Sequence, residues 1–484
     1  MLAEPFAGVV ETHTGVVFFV GDRAYKLKKP VRYDFLDFTT RSARLEACRR
    51  EVALNRRLAP DVYLGVADVT GPDGELSDHL VIMRRLPAAR ALSRLASSGA
   101  SLDQALEELA EMLGGFHARA ERSARCDAAA SRDATLERWE ANARQMAPFV
   151  GQVFDPAHHQ RVLERARRYL FGREPLFSTR VAAGRACDGH GDLLADDVFC
   201  LDDGPRVLDC LEFDDGLRFG DGLGDVASLA MELERLGRVD EAASFLARYQ
   251  NVSADDWPPS LAHHYIAYRA QVRALVAALR FAQGDPDAAA TADALLELGD
   301  RHLERGRVRL VVIGGSPGTG KSSLAAEVAP ELDAVVLRSD EVRKRRAGLD
   351  PTQSAPAPFA EGLYRPEVTE ETYRALLEAA RIELSLGRSV ILDATFSDPK
   401  WRVQARELAE RGAADLAELH CVAPPAVIEE RLATRSSDDP SDATVEVARR
   451  LAPLGRPWPE ATVLETAGPP AALRSAVRQV LEDG

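Results

Sequence analysis

Apolar positions along the chain fall into three regimes. Between residues 1 and 90 they alternate with polar positions in short runs. Val16–Val20 and Arg23–Lys29 flank a Gly21-Asp22 turn, and Val62–Val69 and His79–Leu86 flank the GPDG turn at 71–74. Alternation bounded by Asp/Gly turns predicts two β-hairpins, with a helix near 42–58 between them. From 100 to 300 the apolar spacing is helical, clearest over Leu102–Ala120 and Asp225–Tyr249, with one strand-rich island at 197–215. A turn-rich segment, Gln283-Gly-Asp-Pro-Asp-Ala, leads into a last helix over 291–305. Beyond that, five apolar, often β-branched runs at 308–314, 334–338, 389–393, 416–422 and 461–466 are separated by helical stretches. Unbroken apolar strands alternating with helices predict a parallel sheet covered by helices. The change of regime places a domain boundary around 300–307. Residues 350–366 carry four prolines and read as a mobile loop.

Composition narrows the possibilities. A chain of 484 residues, 46% hydrophobic and 28% charged, is a globular protein of two to four domains. Its net charge of −15 argues against a protein that mainly coats nucleic acid or anionic membrane. No apolar run reaches the roughly 18–20 residues of a membrane span, and the start MLAEPFAGVV lacks the regions of an export signal. Six cysteines without CxxC spacing read as reduced core thiols, and the expected location is cytoplasmic. No Cys/His set has zinc spacing, the adjacent pairs His158-His159 and His263-His264 read as surface or core residues, and there is no GxSxG. The chain has six lysines against 55 arginines. Where lysine persists, at 26, 28, 29, 321, 344 and 400, chemistry is a reason for it.

Gly315-Ser-Pro-Gly318-Thr319-Gly320-Lys321-Ser322 matches GxxxxGK[ST], follows an apolar strand and opens a helix. Glycines there turn backbone N–H groups toward phosphate, and the helix N-terminus adds a favourable dipole. Lys321 would reach the β/γ-phosphates of ATP and Ser322 would hold Mg²⁺. Asp340, just past the second strand, lies beside the phosphates, where ligands of parallel sheets bind. It can take a proton from an attacking hydroxyl, bind Mg²⁺ through water, or cap the helix at 341–347. Asp393, closing the third strand, is a Walker B type of Mg²⁺ ligand. Arg431 and Arg435 share a helix face before a Ser/Asp segment at 436–442, a pattern for a lid that carries arginines onto the transferring phosphate, or for a solvated face.

Residues 308–484 resemble small P-loop kinases: the gluconate-kinase-like and chloramphenicol-phosphotransferase-like enzymes and the kinase domain of polynucleotide kinases. The resemblance implies Asp340 as general base, with Asp340 and Arg343 in the Asp-x-x-Arg arrangement of the polynucleotide kinases.

Upstream, Asp188-Gly-His190-Gly-Asp192 precedes the strand island, Asp209-Cys-Leu-Glu212-Phe-Asp214 is expected on the next strand, and Gly224-Asp225 opens a helix. A histidine two before an aspartate, with acids about twenty residues on, resembles the catalytic loop and metal strand of kinase-like folds. Lys26 lies on a hairpin strand and Glu51 on the first helix. A strand lysine held by a helix glutamate is the phosphate-gripping device of that fold. Lys28 points the same way by the two-residue period of a strand, and the choice of Lys26 comes from the resemblance.

This half, over about 10–280, resembles the aminoglycoside phosphotransferase-like kinases. The whole chain resembles bacterial bifunctional aminoglycoside phosphotransferase/ATP-binding proteins. The implied fold is an α+β protein-kinase-like bilobal domain, with N-lobe 1–90 and helical C-lobe 91–300, followed by an α/β P-loop NTPase domain with a parallel sheet over 301–484. Asp192 would be the base. Asp197 stands where the family pattern has an Mg²⁺-binding Asn. Glu212 best fits the metal-strand acid, with Asp209 and Asp214 as rivals.

The expected activity is ATP·Mg²⁺-dependent phosphorylation of small-molecule hydroxyls, and the acidic chain suits a cationic, amino-sugar-like acceptor. Two alternatives stand beside it. One is a nucleotide-dependent regulator with a degenerate kinase-like half. The other is a 5′-hydroxyl nucleic-acid kinase in the P-loop half, which needs a basic groove from Arg338, Arg343, Lys344, Arg345 and Arg346. The sequence is silent on oligomeric state.

Overall fold

The computed structural model describes residues 6–11, 14–33, 36–350, 353, 361–434, 441–442, 444–451, 456–468 and 470–483. The chain forms two compact units. The first comprises Met1–Leu163, Phe177–Trp257 and Ala262–His302. The second comprises Glu164–Leu176, Pro258–Leu261 and Leu303–Gly484.

The first unit opens on an antiparallel five-stranded sheet. In spatial order its strands are Ala7–Glu11, Gly15–Val20, Arg23–Lys28, Leu76–Arg84 and Tyr63–Thr70. Both predicted hairpins are present, and the Ala7–Glu11 strand extends the first. The helix Arg41–Asn55 starts where Thr40 accepts from the N–H of Ala43, an ordinary side-chain cap. Cys48 and Val52 on this helix pack with Ala24, Val81 and Met83 of the sheet and with Val62 just before its last strand. The same sheet face carries Lys26 and Lys28, so the core and the lysine side chains share a side.

Most of the remaining unit is helical. The apolar pattern over 225–249 predicts one helix, but the structure has two, Gly222–Arg235 and Val239–Ser253. Gly237 sits between them with φ +78°. Periodicity cannot register a left-handed residue that stops one helix and starts another in nearly the same phase. The strand island is the hairpin Val198–Leu201/Gly204–Val207. Residues 209–214 are not a strand: the chain leaves the hairpin and turns at Asp209, whose φ is +61°.

The second unit carries a fully parallel sheet in the order Val335–Arg338, Val390–Asp393, Arg309–Gly314, Asp415–Val422, Thr462–Glu465. Val311, Ile313, Ile391 and Leu419 pack with Leu324 and Val328 of the Lys321–Leu332 helix and with Val477 near the C-terminus. The register sets Asp393 level with Ile313 on one side and Arg338 on the other, so Asp393 and Arg338 come to the same edge as the loop that follows Gly314. The unit also contains a wholly buried arginine: Arg173 donates to Gly412 O at 2.6 Å, and burial pulls its guanidinium down to about 10. All six cysteines are free and buried. Among the described residues, no helix is long and apolar enough to cross a membrane.

Candidate active sites

In the first unit the two lysines and three acids form one network, buried at Lys28, Glu51 and Glu212 and open to solvent at Asp209. Lys26 Nζ lies 2.9 Å from Glu51 Oε1 and 2.5 Å from Asp209 Oδ1. Lys28 Nζ lies 2.5 Å from Glu51 Oε2 and also pairs with Glu212. Burial opposes charge on both lysines, but the surrounding carboxylates outweigh it and hold both protonated more firmly than usual. Glu51, buried between them, is pulled below the usual carboxylate range by Lys26 and Lys28. The predicted Lys26–Glu51 pair is therefore present, and Lys28 shares the same glutamate.

The network corrects the expectation for Glu212. That side chain is buried against Lys28, and the acid that meets Lys26 is Asp209. Asp209 is fixed by its backbone: its N–H donates to Tyr63 Oη at 3.2 Å, and the next N–H, of Cys210, donates to Asn55 Oδ1 at 2.9 Å. Spacing alone could not separate Asp209 from Glu212, because it assumes a strand where the chain makes a left-handed turn.

Asp192 and Asp197 lie at the end of the His190 loop. Burial first, then the charges of Asp209 and Asp192, push Asp197 well above the usual range. Asp209, by contrast, is held below the usual range, first by the charge of Lys26, and carboxylate oxygens gathered in this way suit a divalent cation shared with nucleotide phosphates. Asp197 and Asp209 fit Mg²⁺ on that ground. No group of three or more His, Cys, Asp or Glu among the described residues makes a metal cage by itself, and a site completed by phosphate oxygens does not require one. Burial also raises Asp192, while Arg273 and Arg269 partly offset it.

The loop carrying Asp192 is braced from below. The N–H groups of His190 and Gly191 donate to Asp225, at 2.5 and 2.9 Å. Asp225 also meets His117 Nε2 at 3.2 Å. His190 Nε2–H donates to Leu208 O at 2.9 Å, and burial keeps the ring neutral by lowering its pKa. Neither His117 nor Asp225 was singled out as a site residue in the sequence. The Gly224-Asp225 helix start was the available signal for the latter.

In the second unit, Gly315, Gly318 and Gly320 have φ of +138°, +82° and +84°. A Cβ at Gly315 would sit 2.4 Å from Cys421 O, so the loop requires glycine there. Lys321 Nζ donates to Ser316 O at 3.0 Å, and Ser322 Oγ donates to Asp393 Oδ2 at 2.6 Å. The Ser322–Asp393 pair joins two predicted Mg²⁺ ligands, one from the first turn of the Lys321–Leu332 helix and one from a strand end, and fits that ion. Thr319 is buried in the loop. Gly318, Gly320, Lys321, Ser322 and Asp393 line a cavity of about 880 Å³ that also takes in Asp340, Arg343, Tyr364, Tyr373 and Lys400.

Arg431 lines the cavity too, but its guanidinium serves the loop. It donates to Thr466 O at 2.7 Å, to Thr466 Oγ1 at 3.1 Å and to Gly318 O at 3.4 Å. Its place is behind the phosphate loop, and the expectation of an arginine thrown onto the phosphate is corrected accordingly. Arg435 and 436–440 lie outside the described residues, as does most of the proline-rich stretch at 350–366. Asp340 pairs with Arg343, which lies 4.6 Å above the Tyr364 ring.

Among the described residues, each cation proposed for a basic groove meets an acid. Arg338 faces Asp393, Lys344 faces Asp442, Arg345 faces Glu341 and Arg346 faces Glu371. The histidine pairs are structural: His264 accepts from Trp139 Nε1–H at 3.2 Å, and His263 meets His302 at 2.9 Å.

A strand lysine paired with a helix glutamate on one fold and a glycine-rich loop opening a helix on another are the arrangement expected of an ATP-dependent kinase. Comparison with known proteins agrees. The model of the phosphotransferase enzyme family matches residues 17–262, and that of an AAA domain matches residues 310–452. The chain belongs to the phosphotransferase enzyme family, with a P-loop kinase-like domain following it. The uncharacterized protein Rv2004c of Mycobacterium tuberculosis is 42% identical over 466 residues, 96% of this chain and 93% of that protein. Among solved structures, a choline/ethanolamine kinase family protein from Mesorhizobium loti is 13% identical, covering 62% of this chain and 89% of its own at a TM-score of 0.40. A sugar kinase from Janibacter sp. HTCC2649 is 23% identical, covering 36% of this chain and 95% of its own at a TM-score of 0.29.

Proposed function

We propose that the kinase-like half transfers the γ-phosphate of ATP to a hydroxyl of a small molecule, with Asp192 as base, and that the P-loop half does the same with Asp340. The observation that carries this reading is the Lys26–Glu51 ion pair joined to Asp209. A strand lysine paired with a helix glutamate is the arrangement that holds the α/β-phosphates in kinase lobes. Lys26 would hold the α/β-phosphates, and Asp209 with Asp197 would hold Mg²⁺. Ser322 and Asp393 would hold it in the P-loop half, where Lys321 reaches the β/γ-phosphates. Mg²⁺, when bound, neutralises charge on the phosphates. The protein's own contribution is positioning: Asp225 fixes the Asp192 loop, and Arg431 fixes the phosphate loop.

The test is ATP turnover, with and without pooled small-molecule acceptors, in wild type, Asp192→Ala and Lys321→Ala. Acceptor-stimulated turnover lost in Asp192→Ala assigns it to the kinase-like half, and loss in Lys321→Ala assigns it to the P-loop half. Turnover that no acceptor changes would favour the regulator instead. The nucleic-acid kinase reading is set aside, since its groove cations are paired.

A further inference from the structure

Two arginines, Arg273 and Arg269, act on Asp192. Arg273 Nη1 lies 3.6 Å from Asp192 Oδ2. Arg269 is one turn earlier on the same helix, Pro259–Ala282, and shares its face. Arg269 is committed to the loop. It donates to Gly191 O at 2.6 Å and to Gly224 O at 3.0 Å, and lies 3.6 Å from Asp225.

Arg273 is not committed in this way. Its approach to Asp192 is longer than a hydrogen bond, and the two side chains keep 27% and 28% exposure, so both open to solvent at the same place. The nearby acids have other partners. Glu232 accepts from Arg235 at 3.1 and 2.8 Å, Asp196 accepts from Ser93 Oγ, and Asp209 is held by Lys26.

We infer that Arg273 binds an anionic group of the acceptor, and that the kinase-like half phosphorylates a hydroxyl compound carrying a carboxylate or phosphate. This rests on the reading of Asp192 as base. An acceptor hydroxyl must come within about 2.6–3.2 Å of Asp192 to lose its proton. A substituent a few bonds away then falls within reach of the Arg273 guanidinium, whose planar fork matches an oxyanion. A cation in that place would meet a like charge at contact distance. The chain's net charge of −15 points toward a cationic acceptor, but distant surface charges are screened beyond about 8–10 Å. In the transfer, the acceptor oxygen bonds to the γ-phosphorus and the bond to the β–γ bridging oxygen breaks. Its electron pair leaves with ADP, and the hydroxyl proton passes to Asp192.

The experiment uses the full chain carrying Lys321→Ala, which silences the P-loop site, as the parent. ATP turnover is measured with gluconate (a carboxylate), glucose 6-phosphate (a phosphate), kanamycin and choline. The expected result is stimulation by one of the two anions and not by the cations, with the responding anion naming the source of charge. Adding Arg273→Ala should raise that acceptor's KM about ten- to a hundredfold, far more than it lowers kcat, with partial rescue by Arg273→Lys.

An Arg273 that merely keeps Asp192 ionised would instead move the acid limb of the kcat–pH profile upward and leave KM unchanged, which overturns the proposal. Stimulation by kanamycin or choline, or by neither anion, overturns it as well. In each of these cases, basal turnover lowered by Asp192→Ala leaves the phosphotransferase reading standing. Basal turnover equal to the parent's in Asp192→Ala brings down that reading itself.

Discussion

On the proposed reading, the kinase-like half and the P-loop half would grip phosphate by opposite means. In the first, the cation is Lys26, and it is held by Glu51 on a helix and by Asp209, a residue 183 positions away. In the second, eight consecutive residues fold their own backbone into the cradle, and glycines at 315, 318 and 320 make this possible. One site is a charge network of two lysines and three acids, buried except at Asp209. The other is a loop built by backbone conformation, to which the lysine side chain adds one hydrogen bond, to Ser316 O. The difference teaches where stability and function are coupled: tightly in the network, loosely in the loop.

The sharpest way to break that comparison is to remove one lysine from each half. Lys28 is 1% exposed and lies between Glu51 and Glu212. Lys28→Met leaves two buried carboxylates with one cation fewer, and should cost the kinase-like unit about 3–5 kcal/mol. Adding Glu212→Gln should recover part of the loss. Lys321→Ala removes a hydrogen bond to Ser316 O and should cost about 1 kcal/mol while silencing nucleotide turnover at that site. Urea unfolding, followed separately for each transition, checks both. Equal losses in the two halves would erase the distinction.

A second test is Asp225, whose carboxylate accepts from His190 and Gly191. Burial alone would raise its pKa, but the hydrogen bond and charge of His117, then Arg269, hold it far below the usual range. A depressed carboxylate stabilises the fold above its unfolded pKa, near 3.9, and that contribution is lost as pH falls through the folded value. Asp225→Asn should therefore cost about 1–3 kcal/mol at pH 7, with the gap to wild type narrowing below about pH 4. A gap that stays constant from pH 7 to pH 3 would mean that the charge is irrelevant.

The same contrast explains what could be read from the sequence. The P-loop site was legible residue by residue, because its donors are contiguous and strand–loop–helix order fixes where Asp340 and Asp393 must fall. The kinase-like site was legible in its parts: Lys26, Glu51, the His190 loop and Asp197. Its closure was not. Whether Asp209 or Glu212 faces Asp197 depends on a left-handed turn held by Tyr63 and Asn55, both more than 140 positions away, and no local pattern encodes that. Arg431 shows the converse. Its helix and neighbourhood were foreseen, but a guanidinium can reach either the phosphate or the loop behind it, and Thr466 decides the matter.

The metal acids give a third test, smaller in its effect on folding. With Asp209 as ligand, Asp209→Asn should raise the Mg²⁺ concentration needed for nucleotide binding by about ten- to a hundredfold. Glu212→Gln should change it little while lowering stability. Calorimetric titration of a nonhydrolysable ATP analogue at graded Mg²⁺ separates the two. The reverse pattern would return the role to Glu212. Ser322→Ala in the other half should behave like Asp209→Asn, since Ser322 and Asp393 are already joined at 2.6 Å.

The smallest expected effect compares the two bases. Burial raises the pKa of Asp192, with Arg273 and Arg269 only partly compensating. An acid raised on folding costs stability when ionised. That cost is present above its folded pKa and vanishes as pH falls below the unfolded value near 3.9. Asp192→Asn should therefore abolish turnover at the kinase-like site and yet raise the unfolding temperature of that unit by about 1–3 °C at pH 7, with no gain at pH 3.5. Asp340 sits differently, because Arg343 beside it is buried and depends on its charge. Asp340→Asn should lower the unfolding temperature of the P-loop unit slightly. Thermal scans of both variants at two pH values read the signs directly, and a stabilising Asp340→Asn would show that the Asp340–Arg343 pair is not what holds that helix turn in place.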